Sequence, residues 1–164
     1  MATAMPMNED IFKLRGYLEY VLRDARTGKV VKRGKARNTV SCGGRGWALE
    51  RLTPSSNAQV LSSIAIGSNS GTAPASNQSA LVSYATIIVF GTTALTTATN
   101  SACTFTGAAS FASNETWTNS SQIGEFAIYN SADSGGTMFN RLTTSTYINF
   151  ATSNTLAITI TITN

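Results

Sequence analysis

Two carboxylates able to share a proton across one cleft are the most demanding chemistry this chain could offer, and after Glu50 its only glutamates are Glu115 and Glu125. Such a pair could hydrolyse a glycosidic bond if the fold brought the two together, one as acid and the other as base or nucleophile. The stronger expectation is that Glu125 faces solvent or a neighbouring chain from its strand and that Glu115 sits in a polar turn. Trp117, with Glu115 and Asn119, is the sole cluster with the aromatic, carboxylate and amide character of a sugar site. A tryptophan in such a setting is more often core or interface. Histidine is absent, which removes Ser-His and Cys-His nucleophile pairs together with the commonest metal ligand. Cys42 and Cys103 are the only cysteines, and 61 residues apart with no C-x-x-C they do not suggest a thiolate zinc site. They could pair if neighbours, but are expected as buried free thiols in a reducing compartment. Neither GSNSGTA nor Cys42-Gly43-Gly44-Arg45-Gly46 meets the requirements of a phosphate loop, since no Gly-Lys-Ser/Thr occurs and no helical pattern follows the first. No catalytic residue, cofactor or metal site is therefore expected.

The strongest electrostatic feature is RTGKVVKRGKAR, residues 26 to 37, with six Lys or Arg and no acid. Residues 1 to 51 hold eleven Lys/Arg against five Asp/Glu, whereas residues 52 to 164 hold one against three, so the overall charge of +4 belongs to the first third. Arg23, Arg26, Lys29, Lys32, Arg33, Lys35 and Arg37 are the candidate protein-interface residues. They lie on both faces of a strand and its turn without interleaved aromatics for stacking single strands, so nucleic acid is the weaker expectation. A charged strand also protects an exposed sheet edge, and docking on an acidic protein surface fits the same residues.

The elements that would position these side chains read as β almost throughout. Residues 1 to 12 lack a sustained period and are expected as an arm. Alternation of Tyr17, Glu19, Val21 and Arg23 with Leu18, Tyr20 and Leu22 predicts a strand. Asp24 to Gly28 supply a turn with Gly28 able to take positive φ, and the chain returns through Lys29 to Lys32, giving a basic hairpin over 16 to 37. The one predicted helix spans about 44 to 53 and ends before Pro54. Strands are predicted at 60 to 67, at Tyr84 to Phe90 as a buried strand, and in short pieces between 91 and 121 around Phe105, Phe111 and Trp117. A second hairpin joins 124 to 130 with 137 to 142 through Gly135-Gly136, and LAITITIT closes the chain as a strand buried on one face. Six to nine short strands punctuated by turns predict an all-β antiparallel β-sandwich, jelly-roll or Ig-like, as a single domain over 13 to 164.

Composition adds a functional constraint. Only 12% of residues are charged, about half the share of an ordinary globular chain. A Ser/Thr/Asn-rich surface of low charge favours association, and charge depletion marks the centres of permanent interfaces, so a homo-oligomer is expected, with a trimer as the working guess. No run reaches the ~20 apolar residues of a membrane helix, and MATAMPMNEDIFK places acids before any apolar core, so neither a membrane partner nor a signal peptide is expected.

The order of segments resembles a family of small virion structural proteins of tailed bacteriophages. The resemblance is carried by Asn38-Thr39-Val40 with Gly43, Ile64-Ala65-Ile66-Gly67, Gly71-Thr72-Ala73-Pro74, Ala80-Leu81, Glu125-Phe126-Ala127-Ile128-Tyr129-Asn130, Gly135-Gly136-Thr137-Met138, and Leu156 to Ile162, all downstream of the basic hairpin. The chain departs from that pattern at Val82-Ser83, where an acid commonly stands, and at Phe126-Ala127, where a glycine commonly follows the acid. The resemblance implies a non-enzymatic virion protein, made and assembled in the host cytoplasm, and most specifically a capsid decoration or cement protein whose arm and basic hairpin hold the major capsid protein. A tail or neck component such as a fibre adaptor is the alternative, and a carbohydrate- or nucleic-acid-binding module the second alternative.

Overall fold

The computed structural model describes residues 15–37, 39–50, 60–97, 103–112, 122–133 and 135–163. Its elements are β1 (Arg15–Asp24), β2 (Val30–Arg37), β3 (Thr39–Val40), α1 (Cys42–Glu50), β4 (Ser63–Gly67), β5 (Tyr84–Val89), β6 (Thr92–Thr97), β7 (Cys103–Phe111), β8 (Gln122–Tyr129), β9 (Met138–Asn149) and β10 (Asn154–Thr163). Two five-stranded antiparallel sheets pack face to face. Sheet A runs β2-β1-β10-β7-β6 and sheet B runs β3-β9-β8-β4-β5. The chain is thus the all-β sandwich with one short helix that its periodicity predicts. The expected arm, residues 1 to 12, lies outside the described residues.

Alternation at the two ends of the chain explains the centre of sheet A. Leu18, Tyr20 and Leu22 on β1 and Leu156, Ile158, Ile160 and Ile162 on β10 point inward and are buried, and the strands pair from Arg15 opposite Thr163 to Asp24 opposite Asn154. Ile64 and Ile66 of β4, Phe126 and Ile128 of β8, and Phe139 and Leu142 of β9 meet them from sheet B. Each such side chain removed from water contributes roughly 1.5–3 kcal/mol. The hairpin turn forms as predicted. Asp24 Oδ1 accepts bonds from the Thr27 amide and hydroxyl, each at 2.7 Å, which holds the carboxyl below the usual aspartate range, and Gly28 adopts φ 69°.

Four expectations need correction. The described strands number ten, above the expected six to nine, because β3 is only two residues long and the six residues of β6 lie in a Thr-rich stretch with no apolar alternation to mark a separate strand. The helix starts at Cys42, two residues early, because Ser41 caps it: its Oγ accepts the Gly44 amide at 3.0 Å. The two glycines are thus its first turn, and Gly44 is required because the Phe139 backbone occupies the space a Cβ would fill. Tyr84 to Phe90 is an edge strand rather than a buried one; of β5 only Ala85 is buried, and Val89 is 52% exposed. Cys42 is a free but exposed thiol, since the first turn of α1 faces outward there; the side chain of Cys103 lies outside the described residues.

The outer faces of the two sheets are treated differently. The connection 68–83 and the start of α1 close over sheet B, where Leu81 joins Ala65, Ala127, Tyr129 and Met138 in a second apolar cluster. The Ser41 hydroxyl donates to the Met138 and Phe139 carbonyls at 2.6 and 3.0 Å, and the Cys42 amide donates to the Ser76 carbonyl, joining helix, loop and β9. Among the described residues nothing comparable covers sheet A.

Candidate docking surface

Sheet B disposes of the residues that looked most able to do chemistry. Glu125 was expected at the surface; it is instead 0% exposed and Arg141 1% exposed. The Arg141 Nε donates to Glu125 Oε2 at 2.8 Å, while the Val82 and Ser83 amides donate to the same carboxylate at 3.1 and 2.6 Å. Arg141 Nη1 then donates to the Thr72 carbonyl at 3.0 Å and to Gln78 Oε1 at 3.1 Å. The connection 68–83 crosses above β8 and β9, and one buried ion pair supplies the partners its backbone needs there. Both charges are thereby consumed in holding the loop. Burial also pushes the Tyr129 phenol above its ordinary range beside this cluster.

Sheet A presents the opposite face. Directly paired residues share a side, so the register sets out its outward rows. Arg37, Tyr17, Thr161 and Thr106 form one row, Lys35, Glu19, Thr159 and Ala108 the next, and Arg33, Val21, Ala157 and Ser110 a third. Beyond them Arg15 faces Thr163 and Arg23 faces Thr155. The surface is hydroxyl-rich over β10 and β7 and cationic over β2 and the ends of β1, with five cations and only Glu19 as an acid among those described positions.

The seven predicted interface residues do not act as one group. Arg33, Lys35 and Arg37 alternate outward along the edge strand β2. Lys35 Nζ lies 3.2 Å from Glu19 Oε1 and 3.6 Å from the Tyr17 ring centroid, an arrangement that orders the lysine without removing it from the surface, since half-exposed pairs contribute only about 0–1 kcal/mol. Among the described residues Arg33 and Arg37 have no ionic partner. Lys32 turns the other way, donating from Nζ to the Tyr147 carbonyl at 2.8 Å and to Thr146 Oγ1 at 3.3 Å on β9. It clamps the two sheets together at their open side. Arg23 belongs to both groups, sharing the outward side of β1 while its Nη1 donates to the Gly28 carbonyl at 3.1 Å; Arg26 and Lys29 are exposed around the turn.

The chain matches no protein-family model, no curated protein and no solved structure.

What the face offers chemically is a set of outward cations beside a field of hydroxyl groups, suited to carboxylates on a protein surface. Tyr17 is the one aromatic in its described rows, and its ring already carries Lys35, which leaves no platform among the described residues of this face on which successive bases could stack. The cluster of Glu115, Trp117 and Asn119 lies outside the described residues. Sequence reasoning missed the Glu125–Arg141 pair, although a signal existed. Arg141 is the only cation after Arg51, it stands in an apolar strand, and Glu125 stands in the other arm of the same predicted hairpin. Two opposite charges isolated in such surroundings have each other as the nearest remedy.

Proposed function

We propose that this chain is a non-enzymatic virion structural protein of a tailed bacteriophage, of the capsid decoration or cement type, which docks through the outer face of sheet A on an acidic region of the capsid lattice. One observation carries the reading: the chain seals sheet B with a loop, a helix and a buried ion pair, and presents sheet A with Arg33 and Arg37 outward and unpaired among the described residues. The order of motifs that resembles small phage virion proteins agrees with it, and so does the low charge of the remainder, which suits a homo-oligomer held in a lattice. Glu125, the described carboxylate most open to a catalytic reading, serves the loop instead.

Particle binding tests the proposal. The triple substitution Arg33→Glu, Lys35→Glu, Arg37→Glu is expected to abolish binding to particles lacking the protein while its circular dichroism stays unchanged; undiminished occupancy defeats it. Quantitative mass spectrometry of purified particles separates decoration from the runner-up. A copy number equal to the major capsid protein's, or a simple fraction of it, supports decoration, and one matching a single ring moves the protein to the neck or tail. A steep salt dependence of affinity for DNA would favour a nucleic-acid module instead.

A further inference from the structure

We propose that β6 is a self-pairing edge, along which a second copy of this chain adds antiparallel to extend sheet A. The two edges of that sheet are built on opposite plans. β2 carries Lys32, Arg33, Lys35 and Arg37, the charged design by which natural sheets discourage a further strand. β6 reads TTALTT, is bonded to β7 on one side, and has no described strand on the other. It continues from β5, the corresponding edge of sheet B, through Phe90 and Gly91, whose amides donate to the Ser62 carbonyl at 2.8 Å and the Ala108 carbonyl at 2.9 Å as the chain changes sheets. Residues 75 to 114 contain no charged residue and no proline. This side of the sandwich therefore lacks the charges that protect the other edge.

Charge selects a second copy and its orientation. Pairing β2 with β2 would set Arg33, Lys35 and Arg37 against their own copies at about 5 Å. Pairing β6 with β6 about a two-fold axis gives one ten-stranded sheet with the cationic strands at its far ends. At ~4.8 Å per strand they are then roughly 43 Å apart, well beyond the ~8–10 Å screening length. A strand that meets itself reversed suits TTALTT, which sets threonine at both ends in either direction. Adding β6 to β2 of the next copy would instead propagate without closing. The outward face of sheet A stays open in the two-fold pair, so this inference stands or falls separately from the docking proposal.

The test is the mass of the full-length purified chain by size-exclusion chromatography with light scattering over a concentration series. The expected value is twice the 17.3 kDa of one chain; a monomer at every concentration, three times that mass, or an open polymer overturns the proposal. Ala94 and Thr96 stand opposite Thr106 and Thr104 in the register, and Ala94→Lys with Thr96→Lys is expected to halve the mass. A folded double variant that stays dimeric overturns it. Should that variant not fold, Ala94→Cys in a Cys42→Ser background is expected to form a disulfide-linked dimer on oxidation, and no crosslink beyond the Cys42→Ser control overturns it. The Arg33→Glu, Lys35→Glu, Arg37→Glu variant, which fails particle binding under the docking proposal, is expected to remain dimeric.

Discussion

Glu125 and Arg141 show how a single charge is retained inside an apolar sheet. A buried carboxylate that accepts two backbone amides and one guanidinium bond is tolerable only while all three hold. Arg141→Met removes the sole cation and leaves the charge, so it is expected to destabilise the fold by about 3–5 kcal/mol in urea unfolding. Adding Glu125→Gln should recover part of that loss, because the neutral amide removes the uncompensated charge and its oxygen still accepts one backbone bond. A single variant within ~0.5 kcal/mol of wild type, the range of a neutral surface change, would show that the pair is not what holds the loop. Its position could not be read from sequence periodicity. β8 is buried on both faces from Ile123 to Tyr129, and a strand covered on both sides no longer alternates.

At the scale of elements, β2 divides its labour between its two faces. Lys32 reaches across to β9, while Arg33 and Arg37 point away from the core. Lys32→Ala is therefore expected to lower stability by about 0.5–1.5 kcal/mol, the net value of a hydrogen bond of this kind, and to leave particle binding intact. Arg33→Glu with Arg37→Glu should do the reverse, with a stability change within about 0.5 kcal/mol and loss of docking. Parallel urea titrations and particle-binding assays on the two variants decide the matter, and equal effects on both readouts would contradict the division. The basic stretch was legible as a hairpin strand because Gly28 and the alternation after Gly16 announce it. Which cations point outward was not, since that depends on register and on the bulge where Leu22 pairs with Lys32 but Arg23 with Val30. The start of α1 was hidden for a similar reason: Gly43 and Gly44 read as a break, and the Ser41 cap that overrides them is completed by contacts from β9.

For the whole molecule, the ladder between β1 and β10 ties the first described strand to the last, and both sheets contribute to one core. A single cooperative urea transition is expected. Ile160→Ala, at a position 0% exposed in the middle of that core, should lower stability by about 2–5 kcal/mol without splitting the transition in two. Separate transitions for the two sheets would mean that the sandwich does not fold as a unit. By itself the sequence determined that the chain is a β-sandwich with one short helix, that its charge is concentrated in a hairpin, and that it lacks the histidine and paired thiolates on which much enzyme chemistry depends. These follow from composition and from local alternation, which act over a few residues. Only the tertiary structure decided that Glu125 is buried, that the loop after β4 seals sheet B, that β5 and β6 form an uncharged edge, and that no described element covers the outer face of sheet A. Those outcomes rest on pairings between residues distant in the chain, where hydrogen-bond satisfaction and burial are decided jointly and no short segment carries the answer.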